Sequence, residues 1–225
     1  VAIATCGLAA LLLLLVGSVL YEDAIGTEAG EWRTVTLTDG SEVQLGPNTL
    51  LQIDLGDSQR SIDLVRGEAC FKVAKDVARP FFVAANAFTI RAVGTEFAVS
   101  RRKSELVVTV AEGVVRVAPD SRPANSESPD IPPELSVPIG ADQQLRIRDT
   151  WPVTPSPIDV RYELAWRDRQ LIFRFGDTLA DAVEEFNVRN RVQLRLDPSA
   201  APRCPRFTAR GSACWWRKMK RRFWK

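Results

Sequence analysis

The residues in this chain that could do chemistry are carboxylates and a hydroxyl. Glu68, Thr95, Glu96 and Glu112 stand beside three glycines, Gly67, Gly94 and Gly113, in a stretch otherwise rich in apolar residues. Two carboxylates at a set separation can hydrolyse a glycoside, one as acid and the other as nucleophile or base. The same groups beside a backbone bend have a plainer use, because a carboxylate or hydroxyl accepts an N–H that a broken ladder leaves unpaired. The plainer use is the expectation, and with it a protein that is not an enzyme. The 225 residues include no histidine, which removes Ser-His-Asp and Cys-His nucleophile pairs and His-ligated zinc together. Cys6, Cys70, Cys204 and Cys214 lack metal-site spacing, and only the last two are placed to pair. No cofactor and no metal is expected.

The elements that must carry these residues are strands. From Glu31 to Val117 short runs rich in Val, Ile, Thr and Phe are separated by Gly, Asn, Asp and Pro, which reads as all-β. Asp39-Gly40 is a hairpin turn between "VTL" and "EVQL". The apolar face changes parity three times, each time across a glycine. Ile62 and Leu64 are even whereas Ala69, Phe71 and Val73 are odd, with Gly67 between; Ile90 and Ala92 give way to Phe97 and Val99 across Gly94; Leu106, Val108 and Val110 give way to Val115 and Val117 across Gly113. A glycine inside a strand pattern marks a bulge or bend, and a bend that keeps apolar side chains inward makes a corner. The fold class expected is therefore mainly β, a sandwich or a short solenoid, with Phe71, Val73, Phe97 and Val99 in its core. Cys70, with Glu68 and Lys72 on the face opposite Phe71, is either half-exposed or under a second layer, and a lone thiol is most often an apolar filler.

The β region is expected over residues 28–150, with the Pro- and Ser-rich segment 119–138 as a loop and "QQLRIR" as a returning strand. Residues 160–200 change character. "QLIFRF" and "RVQLRL" read as strands on either side of a helix over 178–190, capped by Asp177 or Thr178. Leu179, Val183 and Phe186 fall at helical spacing.

The ends differ from the body. Residues 1–21 carry no charge, matching the ~20 residues that cross a hydrocarbon core, and read as a membrane anchor. A signal peptide is the alternative, but no basic leading region and no small-x-small site precede "EDAIGTE". Nine of the 30 Lys and Arg follow Pro202 and none of the 28 Asp and Glu does, so a body of net −7 precedes a basic tail. That tail, 203–225, reads as an irregular or out-of-frame end, with binding to a membrane surface as the alternative.

The order "GEWRTVTLTDGSEVQLGPNTLLQID", "RGEACFKVAKDVARPFFVAA", "IRAVGTEFAV" and "VTVAEGVVRV" resembles the FecR family of inner-membrane sigma-factor regulators, over about residues 28–200. "AWRDRQLIFRFGDTLADAVEEFNVRN" resembles the start of a secretin/TonB short N-terminal-like module. The resemblance implies a single-pass inner-membrane protein with its bulk in the periplasm. Its implied partners are the N-terminal domain of a TonB-dependent outer-membrane transducer, typically one for ferric siderophores, and an extracytoplasmic-function sigma factor held by a cytoplasmic arm that these residues do not include. Nucleic acid is not an expected partner. For the terminal module the resemblance suggests a docking role, so Leu179, Ala182, Val183, Phe186 and Asn187 are candidates either for a partner face or for packing on the flanking strands. A structural or ligand-binding cell-envelope β-domain is the alternative function.

Overall fold

The computed structural model describes residues 24–102, 105–120, 133–148, 151–170, 172 and 178–196. Ten strands precede residue 121: β1 (Ala24–Gly26), β2 (Arg33–Thr36), β3 (Glu42–Leu45), β4 (Leu50–Leu55), β5 (Arg60–Lys72), β6 (Phe81–Ala85), β7 (Phe88–Ala92), β8 (Glu96–Arg102), β9 (Glu105–Glu112) and β10 (Val114–Pro119). After it come β11 (Val137–Gly140), β12 (Gln143–Ile147), β13 (Ser156–Pro157), the short helix α1 (Val160–Glu163), a 3-10 turn at Ala165–Asp168, and α2 (Leu179–Arg189).

β5 explains the architecture. Residues 60–66 pair with β4 on one side and, in parallel, with β6 on the other; residues 67–72 pair with β3 and β8. One strand thus belongs to two seven-stranded halves, β1-β4-β5-β6-β7-β10-β11 and β2-β3-β5-β8-β9-β12-β13, which curl to face each other. A parallel pair needs a crossover, and the second half of β5 with loop 73–80 supplies it. Gly67 lies at the bend with φ +88°, and a Cβ there would sit 2.4 Å from Thr49 Oγ1 and 2.5 Å from Thr49 Cα. Before the bend the ladder skips Val65, a bulge that adds local twist. Gly94 and Gly113, with φ +68° and +82°, lie where the chain passes between the halves, from β7 to β8 and from β9 to β10.

The parity changes are the visible trace of those passages. Ile62 and Leu64 before Gly67, and Ala69 and Phe71 after it, are all fully buried in one core between the halves. Phe71 stacks on Phe97 at 5.2 Å and meets Phe81 of the other half edge-on at 6.0 Å, each such ring pair adding to its area burial about 0.5–1.5 kcal/mol. Val73 and Val99 complete the same cluster.

Arg60 breaks the apolar pattern from inside. It shares the parity of Ile62 and Leu64 and points inward, with its side chain fully buried against Asp39 at 2.6 Å. Its Nε donates to Arg79 O at 3.0 Å and its Nη1 to Ala74 O at 3.0 Å, while Phe81 lies under the guanidinium at 5.3 Å. One side chain therefore fastens the β2–β3 turn and the crossover loop to the start of β5. Burial alone would raise the Asp39 carboxyl; bonds from Ser41 and Arg60 outweigh it and hold the carboxyl below its ordinary value.

Several expectations meet a different outcome. The segment expected as loop to residue 138 gives way at Val137 to strand β11, where Pro138 is tolerated because β11 is the outer strand of its half. "RVQLRL" forms no strand: both Asn187 side-chain atoms bond Leu194, Nδ2 donating to its carbonyl at 2.8 Å and Oδ1 accepting its N–H at 2.7 Å, in place of a ladder. The expected helix is Leu179–Arg189, with Thr178 as N-cap and Asp181 closing a capping box. Most of "QLIFRF", the anchor at 1–21 and the tail at 203–225 lie outside the described residues. Among those described, no helix is long and apolar enough to cross a membrane.

Gly67→Ala is expected to lose about 3 kcal/mol, since it combines a strained φ with a backbone clash. Gly56→Ala, whose Cβ would meet nothing nearer than 3.5 Å, is expected to change stability by less than about 1 kcal/mol, both read by urea denaturation. Asp39→Asn leaves the Arg60 charge buried without its counter-ion, a loss of about 3 kcal/mol at neutral pH. Because the folded Asp39 value lies below the ordinary 3.8, its contribution is present above that value and disappears as pH falls through the folded one. The stability curve of Asp39→Asn is therefore expected to converge on that of the parent in acid.

Candidate functional site

The outward face of the second half is built in two rows by the strand registers. Gln44, Cys70, Ala98, Thr109 and Gln144 lie side by side across β3, β5, β8, β9 and β12, and Glu68, Ser100, Val107 and Arg146 form the next row. The first row is roofed by the segment around α1. Leu164 and Trp166 pack on Cys70 and Ala98, Gln44 Nε2 donates to Arg167 O at 3.0 Å, and Arg167 bonds Glu96. Trp32 receives Arg169 at 5.7 Å from its ring. Cys70 is thus under a second layer and 4% exposed; burial pushes its thiol up to about 11.

Beyond this roof a cleft of about 270 Å³ opens between the second row and α2. Its two ends are polar. At one, Gln144 donates to Thr109 Oγ1 at 2.8 Å and to Glu163 Oε2 at 3.1 Å, and Arg146 Nε donates to Gln144 Oε1 at 2.6 Å. At the other, the guanidinium of Arg189 forks onto Glu68, Nε to Oε1 at 2.8 Å and Nη2 to Oε2 at 3.1 Å, and bonds Glu185 as well. Arg102 faces Glu185 at 3.7 Å. Burial pushes the Glu68 carboxyl up from its ordinary value, and Arg189 works against that push. For Arg189 burial opposes the charge, but the carboxylates of Glu68 and Glu185 prevail and hold its pKa above the usual range.

These pairings decide what the cleft can do. Glu68, Glu163 and Glu185 each bond a guanidinium or amide, and Asp181 bonds Thr178 in the capping box. Such a surface presents a fixed pattern of paired charges. Among the described residues no group of three His, Cys, Asp or Glu is set to hold a metal.

The corner residues have individual fates. The Glu68 carboxylate does not accept an orphaned backbone N–H, because Arg189 takes both its oxygens; the hydroxyl of Thr49 does that work, accepting from Glu68 N at 3.1 Å and donating to Glu68 O at 3.0 Å. Thr95 Oγ1 is buried with no partner among the described residues, and its methyl instead fills the space beside Gly113. Glu112 lies directly opposite Glu96, and Arg167 offsets the like charges. On α2, Ala182 is buried, Leu179, Val183 and Phe186 are half-buried, and Asn187 organises the turn that follows.

Sequence reasoning passed over Arg189, Thr49 and Trp166. Spacing held a signal for Arg189, which lies seven residues after Ala182 on one helix face. No local signal pairs it with Glu68, 121 residues away.

Comparison with known proteins places the β region. The family model "FecR protein" matches residues 23–116. Two crystal structures of a candidate anti-sigma factor from Parabacteroides distasonis ATCC 8503, at 1.65 and 2.50 Å, share the fold, each with 23% identity, a TM-score of 0.63 and 78% of either chain covered. No curated protein matches the chain.

Iodoacetamide at pH 8 is expected to leave Cys70 unmodified in the native protein, at a rate at least about 100-fold below that in denaturant, because both exposure and thiolate fraction are small. Peptide mass spectrometry reads the outcome.

Proposed function

We propose that this chain, which carries a FecR domain over residues 23–116, is a signal receiver that regulates a sigma factor. The FecR match is the observation that carries the reading. The fold shared with a candidate anti-sigma factor over 78% of the chain supports it. So does a site whose charges are paired among themselves, which suits recognition better than turnover.

The finer reading rests on the sequence. The uncharged stretch 1–21 is a single-pass anchor in the bacterial inner membrane, and the body lies in the periplasm. The signal comes from the N-terminal domain of a TonB-dependent outer-membrane transducer serving iron uptake. The sigma factor is reached through a cytoplasmic arm preceding these residues. Among the described residues, outward strands such as β2 and β11 pair on one side only, and a partner strand can add to the other by main-chain hydrogen bonding.

The full chain, solubilised in detergent and immobilised, is expected to enrich a TonB-dependent transducer from outer-membrane extract, with the transducer's isolated N-terminal domain competing it away. In cells, deleting the gene is expected to change a reporter driven by an extracytoplasmic sigma factor several-fold. A folded bait that captures no transducer removes the outer-membrane part of the reading. An unchanged set of sigma-factor reporters removes the regulatory part.

A further inference from the structure

The feature of the cleft with mechanical consequences is the way α2 is held. A helix docked by hydrophobic contact buries three or four apolar side chains in every two turns. Over its 11 residues α2 buries two side chains, Ala182 and Arg189, while Val188 is 51% exposed. Leu179, Val183 and Phe186 are only half-buried, and the polar hold on the sheet is ionic: Arg189 forked onto Glu68 and Arg102 facing Glu185, which in turn bonds Arg189 within the helix. Glu68 is seated for this by Gly46. A Cβ at position 46 would come within 2.6 Å of Glu68 Cγ and 3.1 Å of Oε1, so the missing side chain is what lets the carboxylate lie flat toward α2.

A buried ion pair adds little net stability, because the desolvation of both charges offsets their attraction, and apolar residues of the same volume often hold as well or better. Removing one partner is costly, since the other charge is left buried alone. Such a contact is therefore all-or-none: cheap when made, strongly unfavourable when half made. The β core does not depend on it, because the aromatic and aliphatic cluster between the two halves contains no residue of α2.

We infer that Glu68, seated over Gly46, and Arg189 form a releasable latch. α2 undocks from β5 as a unit while the two halves of the sheet stay folded, and its departure opens the Glu68 end of the cleft. The latch goes beyond the receiver reading and stands without it, since it concerns the mechanics of one helix and not the identity of a partner.

Hydrogen–deuterium exchange of the full chain tests it, comparing the parent with Arg189→Met and Gly46→Ala. Arg189→Met removes one charge; Gly46→Ala keeps both charges and displaces Glu68. In Arg189→Met, amides of 179–189 are expected to exchange roughly 100-fold faster, and in Gly46→Ala at least about tenfold faster, while peptides of β5, β8 and β9 hold their parental rates. Unchanged protection of α2 in either variant overturns the inference. So does acceleration of α2 and the strands by the same factor, or failure of both variants to fold, because the pair is then an ordinary part of the global fold.

Discussion

Thirteen consecutive residues, Arg60 to Lys72, belong to both halves of this protein, and the bend that lets them do so is the constraint on which the rest depends. Without the turn at Gly67 the strand would run straight and one of its halves would present Phe71 or Ile62 to solvent. With it, both lengths face the same core. The position tolerates no side chain for two independent reasons, the positive φ and the backbone of Asn48 and Thr49 pressed against it. The Thr49 hydroxyl then takes up both backbone groups of Glu68, so the break in the ladder leaves little unpaired.

Two buried guanidinium–carboxylate pairs serve different ends. Arg60 and Asp39 lie inside the β core and also bond the backbone of the crossover loop, so their geometry is over-determined by carbonyls that cannot move away. Arg189 and Glu68 join a strand corner to a helix 121 residues later, on which Ala182 is buried and Leu179, Val183 and Phe186 are half-buried. The first pair is a structural anchor. The second has the geometry of a contact that is either whole or absent.

The FecR domain covers the strands from β1 into β10. The face that the cleft uses also needs β12, the roof around Trp166 and α2, all of which come later in the chain. The cleft therefore depends on how the later segments lie on the domain, and it gathers side chains from residue 68 to residue 189 in one place.

Much of the fold was legible in the residues themselves. Parity across Gly67, Gly94 and Gly113 marks the passages between halves, because alternation in a strand records which side faces apolar surroundings, and that is a local property. Parity would also have turned Arg60 inward, since it shares the face of Ile62 and Leu64. Thr178 and Asp181 announce the start of α2 by spacing alone. Strand β11 was hidden by its proline, and the segment after α2 by an asparagine that replaces a ladder with its own side chain. The cleft was not legible at all. Its defining contacts, Glu68 with Arg189, Gln144 with Glu163, and Trp166 over Cys70, join residues brought together by the curl of the sheet. The sequence by itself determined where the chain is strand and where it turns inward; only the tertiary structure decided which charges would meet, because an ion pair depends on a few ångströms of separation and carries no trace along the chain.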